Sequence, residues 1–356
     1  MARDARAVQR SFMMRGLASP AGTDRVSSVV VTRAAGYSGR RQGAKPAESR
    51  GPSSAGDQQG TGSLHEHRLV AGEPGRRGPR GQGGTAGVKA KENRGWYDHR
   101  MSEGTRAAIA VLRRAHEDLI SFSEGLSADQ LRARSGSSEW NVAAVLSHLG
   151  SAAENGLKTL TAGKADMDAA KATWARWDTM TPEEQAEEFV VASRRLSDAL
   201  EALTDEQLAG HRIDLGFLPA PVDVLFLTSM RLGEVGLHGW DARVPFDEAA
   251  AVPEDVVPYP LDQLPMFAGF FGKPTGLTGE LSVITTAPGR EYRLGLRAEG
   301  ISLVQEGSAS PNKLMLRGES FLRLTSGRLG PAHTPTDVTI EGEVTLDDLR
   351  RTFPGY

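Results

Sequence analysis

The chain has 356 residues, of which 39% are hydrophobic, so it is long enough for two or more domains with cores of their own. Its net charge of -3 hides an uneven distribution: residues 1–100 contain 18 Lys and Arg against 8 Asp and Glu, whereas residues 101–356 contain 24 against 37. An acidic globular part disfavours nucleic acid as its partner. The absence of cysteine excludes disulfides, cysteine metal ligands and a cysteine nucleophile.

Residues 1–100 are rich in Gly, Arg, Ser and Pro, and such a segment buries too little apolar area to offset its ordering entropy. We therefore expect this extension to be disordered, or translation to begin at Met101, where the composition changes abruptly. A basic arm that binds nucleic acid is the functional alternative. No apolar run reaches the roughly 18 residues needed to cross a bilayer, and the first residues lack an apolar core of signal-peptide length. We expect a cytoplasmic protein without a membrane partner.

Four helical segments are predicted after Met101. Their approximate bounds are 105–126, 141–160, 181–203 and 221–244. Asn141 is a good N-cap for the second segment, and Thr181 caps the third ahead of Pro and two acids. His116 lies on the apolar stripe of the first, where we interpret it as a core histidine. Four helices of about 20 residues with modest connections predict a four-helix bundle over residues 101–246.

The pattern of apolar and polar residues changes after a proline-rich passage at 252–265. Short alternating segments bounded by Gly or Pro-Gly turns are typical of strands. They lie at 281–286, 292–296, 301–305, 313–317 and 337–341. A short helix over 319–326 is stopped by Gly327, and Thr345 opens a final helix. These elements predict a small α+β domain over residues 247–356.

The fourth predicted helix contains Glu234 and His238, four residues apart. At about 100° per residue this spacing places both side chains on one face, one turn apart. A carboxylate and an imidazole so arranged can bind one divalent ion if a third ligand comes from elsewhere, although the same pair also occurs on solvated helices. The second helix offers His148 beside its apolar stripe, and helix bundles build metal sites from facing helices. Two imidazoles, one carboxylate and an open position are typical of catalytic zinc, while Fe(II) or another transition metal also fits.

The motifs Trp140-Asn-Val-x-x-Val-Leu-Ser-His148-Leu and Arg231-x-x-Glu234-x-x-x-His238-Gly-x-Asp241 resemble the mycothiol-dependent maleylpyruvate isomerase family. That family belongs to the metal-binding four-helix bundles related to DNA-damage-inducible bacterial proteins. Residues 316–328, followed by Val338-x-Ile-x-Gly342, resemble its sterol-carrier-like C-terminal domain. The resemblance covers about residues 101–356 and leaves the first hundred unmatched.

The resemblance implies three metal ligands, His148, Glu234 and His238. It also implies that Arg328 approaches the active site from the second domain, where its guanidinium could hold a substrate carboxylate; a plain surface position is the alternative. We expect Asp241 to orient a ligand imidazole or to pair with Arg231, so that both residues support catalysis. An ordinary ion pair on the helix surface is the alternative reading of Asp241.

The function implied by the resemblance is that of a metal-dependent isomerase or S-transferase, with mycothiol as a low-molecular-weight thiol cosubstrate and a small electrophile as substrate. The open metal position would bind the thiol and stabilise its thiolate. Two alternatives remain: metal-assisted hydrolysis in the same pocket, and a non-catalytic module that binds a small molecule or lipid. The substrate itself is not specified, because a fold does not fix a function.

Overall fold

The computed structural model describes residues 85–137, 140–307 and 309–355. Of these, residues 87–355 belong to one compact unit. Residues 1–84, which hold most of the predicted extension and of the possible basic arm, lie outside the described residues. Within the described part of the chain, every helix is too short or too polar to cross a membrane.

Seven helices occupy the first part of the described chain. They are α1 (Thr85–Glu124), α2 (Ala128–Arg132), α3 (Val142–Ala162), α4 (Met167–Trp177), α5 (Pro182–Glu201), α6 (Asp205–Gly210) and α7 (Val224–Arg243). The predicted start of the first helix is wrong, because α1 begins well inside the predicted extension. Its early residues include Ala, Lys, Glu and Arg, which are good helix formers despite the glycine-rich composition upstream.

The helix starts follow from local capping chemistry. Asn141 accepts a hydrogen bond from the Ala144 amide at 2.8 Å, which confirms it as the N-cap of α3. Thr181 and Glu184 form a reciprocal capping box at the start of α5, with Pro182 at the first helical position. Since these bonds depend only on neighbouring residues, the sequence was sufficient to place both starts.

Two of the helices longer than ten residues were not predicted. The structure places α4 where the sequence suggested only a connection before the third helix, and α8 (Pro258–Phe271) within the proline-rich passage. Pro258 is at the first position of α8, where the missing N–H costs nothing, and only Pro265 lies inside the helix. The apolar residues Leu261, Leu264 and Ala268 are buried, so tertiary packing outweighs the low helix propensity of proline.

The long helices α1, α3, α5 and α7 surround a shared apolar interior. Helix α3 packs along α5, α7 and α4. Gly150 makes one of these contacts possible: a Cβ there would lie 2.2 Å from the Trp177 ring and 3.0 Å from the Phe189 backbone. The small residue therefore lets α3 approach α4 and α5 closely.

The second part is a five-stranded sheet with short helices. The strands are β1 (Gly279–Thr286), β2 (Arg290–Arg297), β3 (Gly300–Val304), β4 (Asn312–Arg317) and β5 (Thr339–Glu341), in the spatial order β3-β2-β1-β4-β5. The β1–β4 pair is parallel and the other pairs are antiparallel. Helix α9 (Gly318–Thr325) follows β4, and α10 (Leu346–Thr352) follows β5. The mixed content confirms the predicted combination of a helical part and an α+β part.

Helix α8 connects the two parts. It packs against α7 on one side and against β3 and α9 on the other. The amide of Gln263 donates to the Phe226 carbonyl at 2.9 Å, and the Tyr292 hydroxyl donates to the Leu261 carbonyl at 3.3 Å. This connection places the end of α9, and hence Arg328, beside α7.

Candidate functional site

The structure brings together the side chains of His148 on α3 and of Glu234 and His238 on α7. The distance from Glu234 Oε2 is 2.9 Å to His148 Nε2 and 3.7 Å to His238 Nε2. One ligand atom from each residue lies within 4.8 Å of the other two. Spacing along α7 accounts for the Glu–His pair, but only the packing of α3 on α7 adds His148.

These distances fit a divalent ion. Zinc–ligand bonds of about 2.0–2.1 Å in tetrahedral geometry place neighbouring ligand atoms roughly 3.3 Å apart, between the two measured values. Side-chain exposure is 4% for His238, 24% for His148 and 49% for Glu234, so one flank of the cluster remains accessible. The residues therefore fit a three-ligand site with an open position, as in catalytic zinc centres.

A second set of contacts orients the His238 ring through its Nδ1 atom. Its Nδ1 lies 2.8 Å from Asp241 Oδ2, and because a carboxylate only accepts, Nδ1 bears the hydrogen and Nε2 is left for a ligand. Arg328, just after the left-handed Gly327, donates to both Asp241 oxygens, from Nε at 2.9 Å and from Nη2 at 2.6 Å. Asp241 is fully buried and Arg328 is 9% exposed. The result is a continuous chain from Arg328 through Asp241 to His238.

Two sequence-based expectations change as a result. Arg328 does reach the site from the second part of the chain, but its guanidinium binds Asp241 rather than facing the cavity described below. In this arrangement the guanidinium holds Asp241, and a role in holding a substrate carboxylate stays a prediction. Asp241 contacts His238 and Arg328, whereas the alternative pairing with Arg231 is wrong. That alternative failed because Arg231 and Asp241 are ten residues apart on α7, too far along the helix axis to meet.

Arg231 instead belongs to a buried network with α1 and α5. Its Nε donates to His116 Nε2 at 3.3 Å, and its Nη2 donates to the Leu149 carbonyl at 2.8 Å. Because His116 Nε2 accepts, its Nδ1 bears the hydrogen and donates to Ser197 Oγ at 2.8 Å. His116 is thus a fully buried, satisfied core histidine, as expected from the sequence.

The electrostatics of the site follow from burial and from these partners. Burial lowers the pKa of Arg231 to about 10, against the raising effect of Glu234, so the guanidinium stays charged near neutral pH. Burial also acts to raise the pKa of Glu234, but the hydrogen bond with His148 and the nearby His238 and Arg231 outweigh it and lower that pKa to about 2. Burial and neighbouring positive groups lower the pKa of His148, which favours the neutral imidazole that a metal needs.

The accessible flank of the cluster opens into a cavity of about 450 Å³ between α3, α4, α5 and α7. His148, Glu234 and Arg231 line it at one end. Much of the remaining wall is apolar and includes Trp140, Trp174, Trp177, Leu196, Leu200 and Phe217. The size lies within the range of small-molecule sites.

Two features of the site were missed by sequence reasoning. The ring of Trp140, just before α3, lies against both imidazoles, with its centroid 5.2 Å from that of His148 and 6.0 Å from that of His238. Trp174 and Trp177 were placed in a connection, whereas they form the inner face of α4. Trp174 and Trp177 are three residues apart in the segment whose start is capped by Asp166. This spacing and this cap are helical signals that could have revealed the α4 side of the cavity.

Comparison with known proteins identifies the helical part. Residues 112–243 match the family described as "Mycothiol maleylpyruvate isomerase N-terminal domain". This segment belongs to that family. All three candidate ligands of the mycothiol maleylpyruvate isomerase domain lie inside the matched segment, whereas Arg328 lies outside it. The family resemblance inferred from the two sequence motifs is thereby confirmed.

Solved structures that match this chain include the crystal structure of the mycothiol-dependent maleylpyruvate isomerase, with 15% identity and a TM-score of 0.46. A histidine-to-alanine mutant of that enzyme has 16% identity and a TM-score of 0.45. Each comparison covers 68% of this chain and 95% of the other. A search of curated proteins finds no match. The family assignment rests on the match over residues 112–243.

Proposed function

We propose that this protein is a metal-dependent enzyme that uses a low-molecular-weight thiol, mycothiol, as an isomerase or S-transferase on a small electrophilic substrate. The observation that carries the proposal is the cluster of His148, Glu234 and His238 within 4.8 Å beside a cavity of about 450 Å³. The family match over the same segment supports the choice of thiol. For the fold we propose a metal-binding four-helix bundle followed by a sterol-carrier-like domain.

We further propose that His148 Nε2, His238 Nε2 and a Glu234 oxygen hold the ion, with zinc preferred for this ligand set. A divalent ion there would supply positive charge that lowers the pKa of a thiol at its open position. The protein side chains then have separate tasks. Asp241 orients the His238 imidazole through Nδ1, and Arg328 holds Asp241 in place.

The cavity wall has the task of keeping water away from the reacting groups. Trp140 covers both imidazoles on one side, so that the accessible flank of the cluster faces the cavity rather than bulk water. A thiolate and an electrophile held together in such a space react as if at high local concentration. Arg231, charged and on the same wall, offers positive potential where negative charge develops on the substrate.

Metal analysis of the purified protein, combined with a screen of electrophiles with and without thiol, tests the proposal. We expect one metal per chain, lost in His238→Ala together with thiol-dependent turnover. His211→Ala is the matched control, because His211 bonds to the Leu160 carbonyl outside the cluster and should leave the metal bound. Turnover that needs the metal but no thiol would instead identify a hydrolase. Full ligand binding without metal, together with no turnover of any electrophile, would reject both enzyme functions and favour a non-catalytic binding module.

A further inference from the structure

The cavity beside the candidate metal ligands has a mainly apolar lining, with Arg231 at the end that contains His148 and Glu234; Lys158, Lys164, Asp166 and Asp178 also line it. At the end with His148 and Glu234, Arg231 lies three residues before Glu234 on α7, a rise of roughly 4.5 Å along the helix axis. The apolar wall is formed by side chains of α4, α5 and the segment before α7, including Trp174, Trp177, Leu196 and Phe217. A ligand that fills this space would therefore contact mainly apolar side chains.

Arg231 has a hydrogen-bond donor left over at this end. The residue is 8% exposed, and both acceptors of its hydrogen bonds, His116 Nε2 and the Leu149 carbonyl, are neutral. These bonds use Nε and Nη2, while Nη1 is buried without a partner. Among the described residues, the ion pairs found include none to Arg231. A buried guanidinium with a spare N–H and no salt bridge is costly unless a ligand supplies an anionic acceptor.

A second unpartnered donor lies further along the same cavity. Asn155 Nδ2 on α3 is buried without a hydrogen bond and also lines the cavity. It follows His148 by seven residues, or roughly 10 Å along the helix axis. The described residues contain two other such atoms, on Ser193 and His333, and neither residue lines the cavity. Both unsatisfied groups of the cavity wall are thus N–H donors, which select for acceptors on the ligand.

We propose that the substrate taken by this cavity is a mainly apolar carboxylic acid, whose carboxylate binds Arg231 beside the metal ligands and whose apolar body lies against Trp174 and Trp177. The proposal deepens the proposed function by naming the class of substrate for the same cavity. A planar guanidinium suits a carboxylate because its N–H bonds to an anion are stronger than those to a neutral carbonyl. The depth of the apolar wall distinguishes such an acid from a short, wholly polar one.

The test is a binding measurement on the full-length protein, stripped of metal and without thiol. Isothermal titration calorimetry near neutral pH compares 5-phenylpentanoate, its neutral amide 5-phenylpentanamide, and butanoate, which has the acid but not the body. We expect the phenyl acid to bind at least about tenfold more tightly than either comparison ligand, because only it uses both ends of the cavity. Equal affinity for the acid and the amide would overturn the proposal.

Two variants locate the two ends. Arg231→Met should abolish the preference for acid over amide, whereas Arg243→Met should retain it, since it removes the same charge from α7 at a residue that binds Asp118 outside the cavity. Gly156→Leu should weaken binding of the phenyl acid at least about tenfold by filling the cavity. A Cβ at Gly156 meets Leu196 at an ordinary 3.6 Å, and Gly156 lines the cavity, so the rest of the added side chain has the cavity to enter.

An unchanged acid preference in Arg231→Met refutes the carboxylate site. If that variant fails to fold, the proposal is judged by the acid–amide comparison on the wild type and by the Gly156→Leu variant. Unchanged binding of the phenyl acid in Gly156→Leu refutes the proposal. Because these measurements need neither metal nor thiol, their failure leaves the metal and turnover tests untouched. Acid binding by a protein that never holds a metal would overturn the proposed enzyme but not the cavity's ligand class.

Discussion

Replacing Asp241 by Asn tests the chain of contacts that holds His238. Asp241 is fully buried and accepts three hydrogen bonds, one from His238 Nδ1 and two from Arg328. Asn has one acceptor oxygen, so its NH₂ group must face a donor from either His238 or Arg328. The substitution keeps the shape and removes the charge, which makes it a sharper probe than truncation.

Two magnitudes follow from this geometry. Loss of the carboxylate breaks the buried ion pair between Asp241 and Arg328, and we expect the unfolding free energy to fall by about 3–5 kcal/mol. The orientation of His238 is lost with it, so metal affinity should fall about 10–100-fold, equivalent to about 1.4–2.7 kcal/mol. Urea denaturation measures the first quantity, and competition with a chelator under native conditions measures the second.

Asp118→Asn is the matched control. Asp118 also pairs with an arginine, Arg243, at 2.6 Å, but its side chain is 64% exposed. An exposed pair of this kind contributes less than about 1 kcal/mol, and metal affinity should not change. Equal losses of stability in the two variants would refute the burial argument for Asp241 and Arg328. Undiminished metal binding by Asp241→Asn would refute its role in orienting His238.

Two further predictions concern stability. Burial and the nearby Arg231 hold the pKa of His116 well below its ordinary value, so the folded protein keeps this imidazole neutral where the unfolded chain protonates it. The unfolding free energy should therefore fall as the pH drops below about 6.5, by up to about 1.4 kcal/mol per pH unit, and His116→Gln should flatten that slope in urea titrations. Gly150→Ala should cost about 1–3 kcal/mol because its Cβ would lie 2.2 Å from Trp177, while Gly156→Ala, with ordinary contacts, should be neutral or stabilising by thermal denaturation. A Gly150→Ala variant as stable as Gly156→Ala would contradict the close packing of α3.

The elements that could be read from the sequence are those with a local cause. Asn141 and Thr181 bond to amides three residues away, so the starts of α3 and α5 follow from neighbouring residues alone. Strands β3 and β4 alternate between buried and more exposed positions over short runs bounded by turns. Helix α8 was missed because its prolines outweigh its apolar pattern in any local reading, whereas burial against α7 and β3 stabilises it.

The residues of the candidate site likewise divide into those that local spacing predicts and those that only packing brings together. Glu234 and His238 could be paired from the sequence because helix geometry alone places residues four apart on one face. His148 was assigned to the same site through a motif, since no local rule relates residues on different helices. Helix spacing alone excludes Arg231 as a partner of Asp241, since the two are ten residues apart on α7, but only packing brings Arg328 to 2.6 Å from Asp241.

The sequence by itself determined most of the helices and strands, the shared face of Glu234 and His238, and the family motifs, because each depends on spacing along the chain. Only the tertiary structure decided which side chains meet across elements: His148 with Glu234, Arg328 with Asp241, and Arg231 with His116. Such contacts depend on which helix faces pack together, and that is settled by the burial of the whole apolar interior rather than by any local pattern.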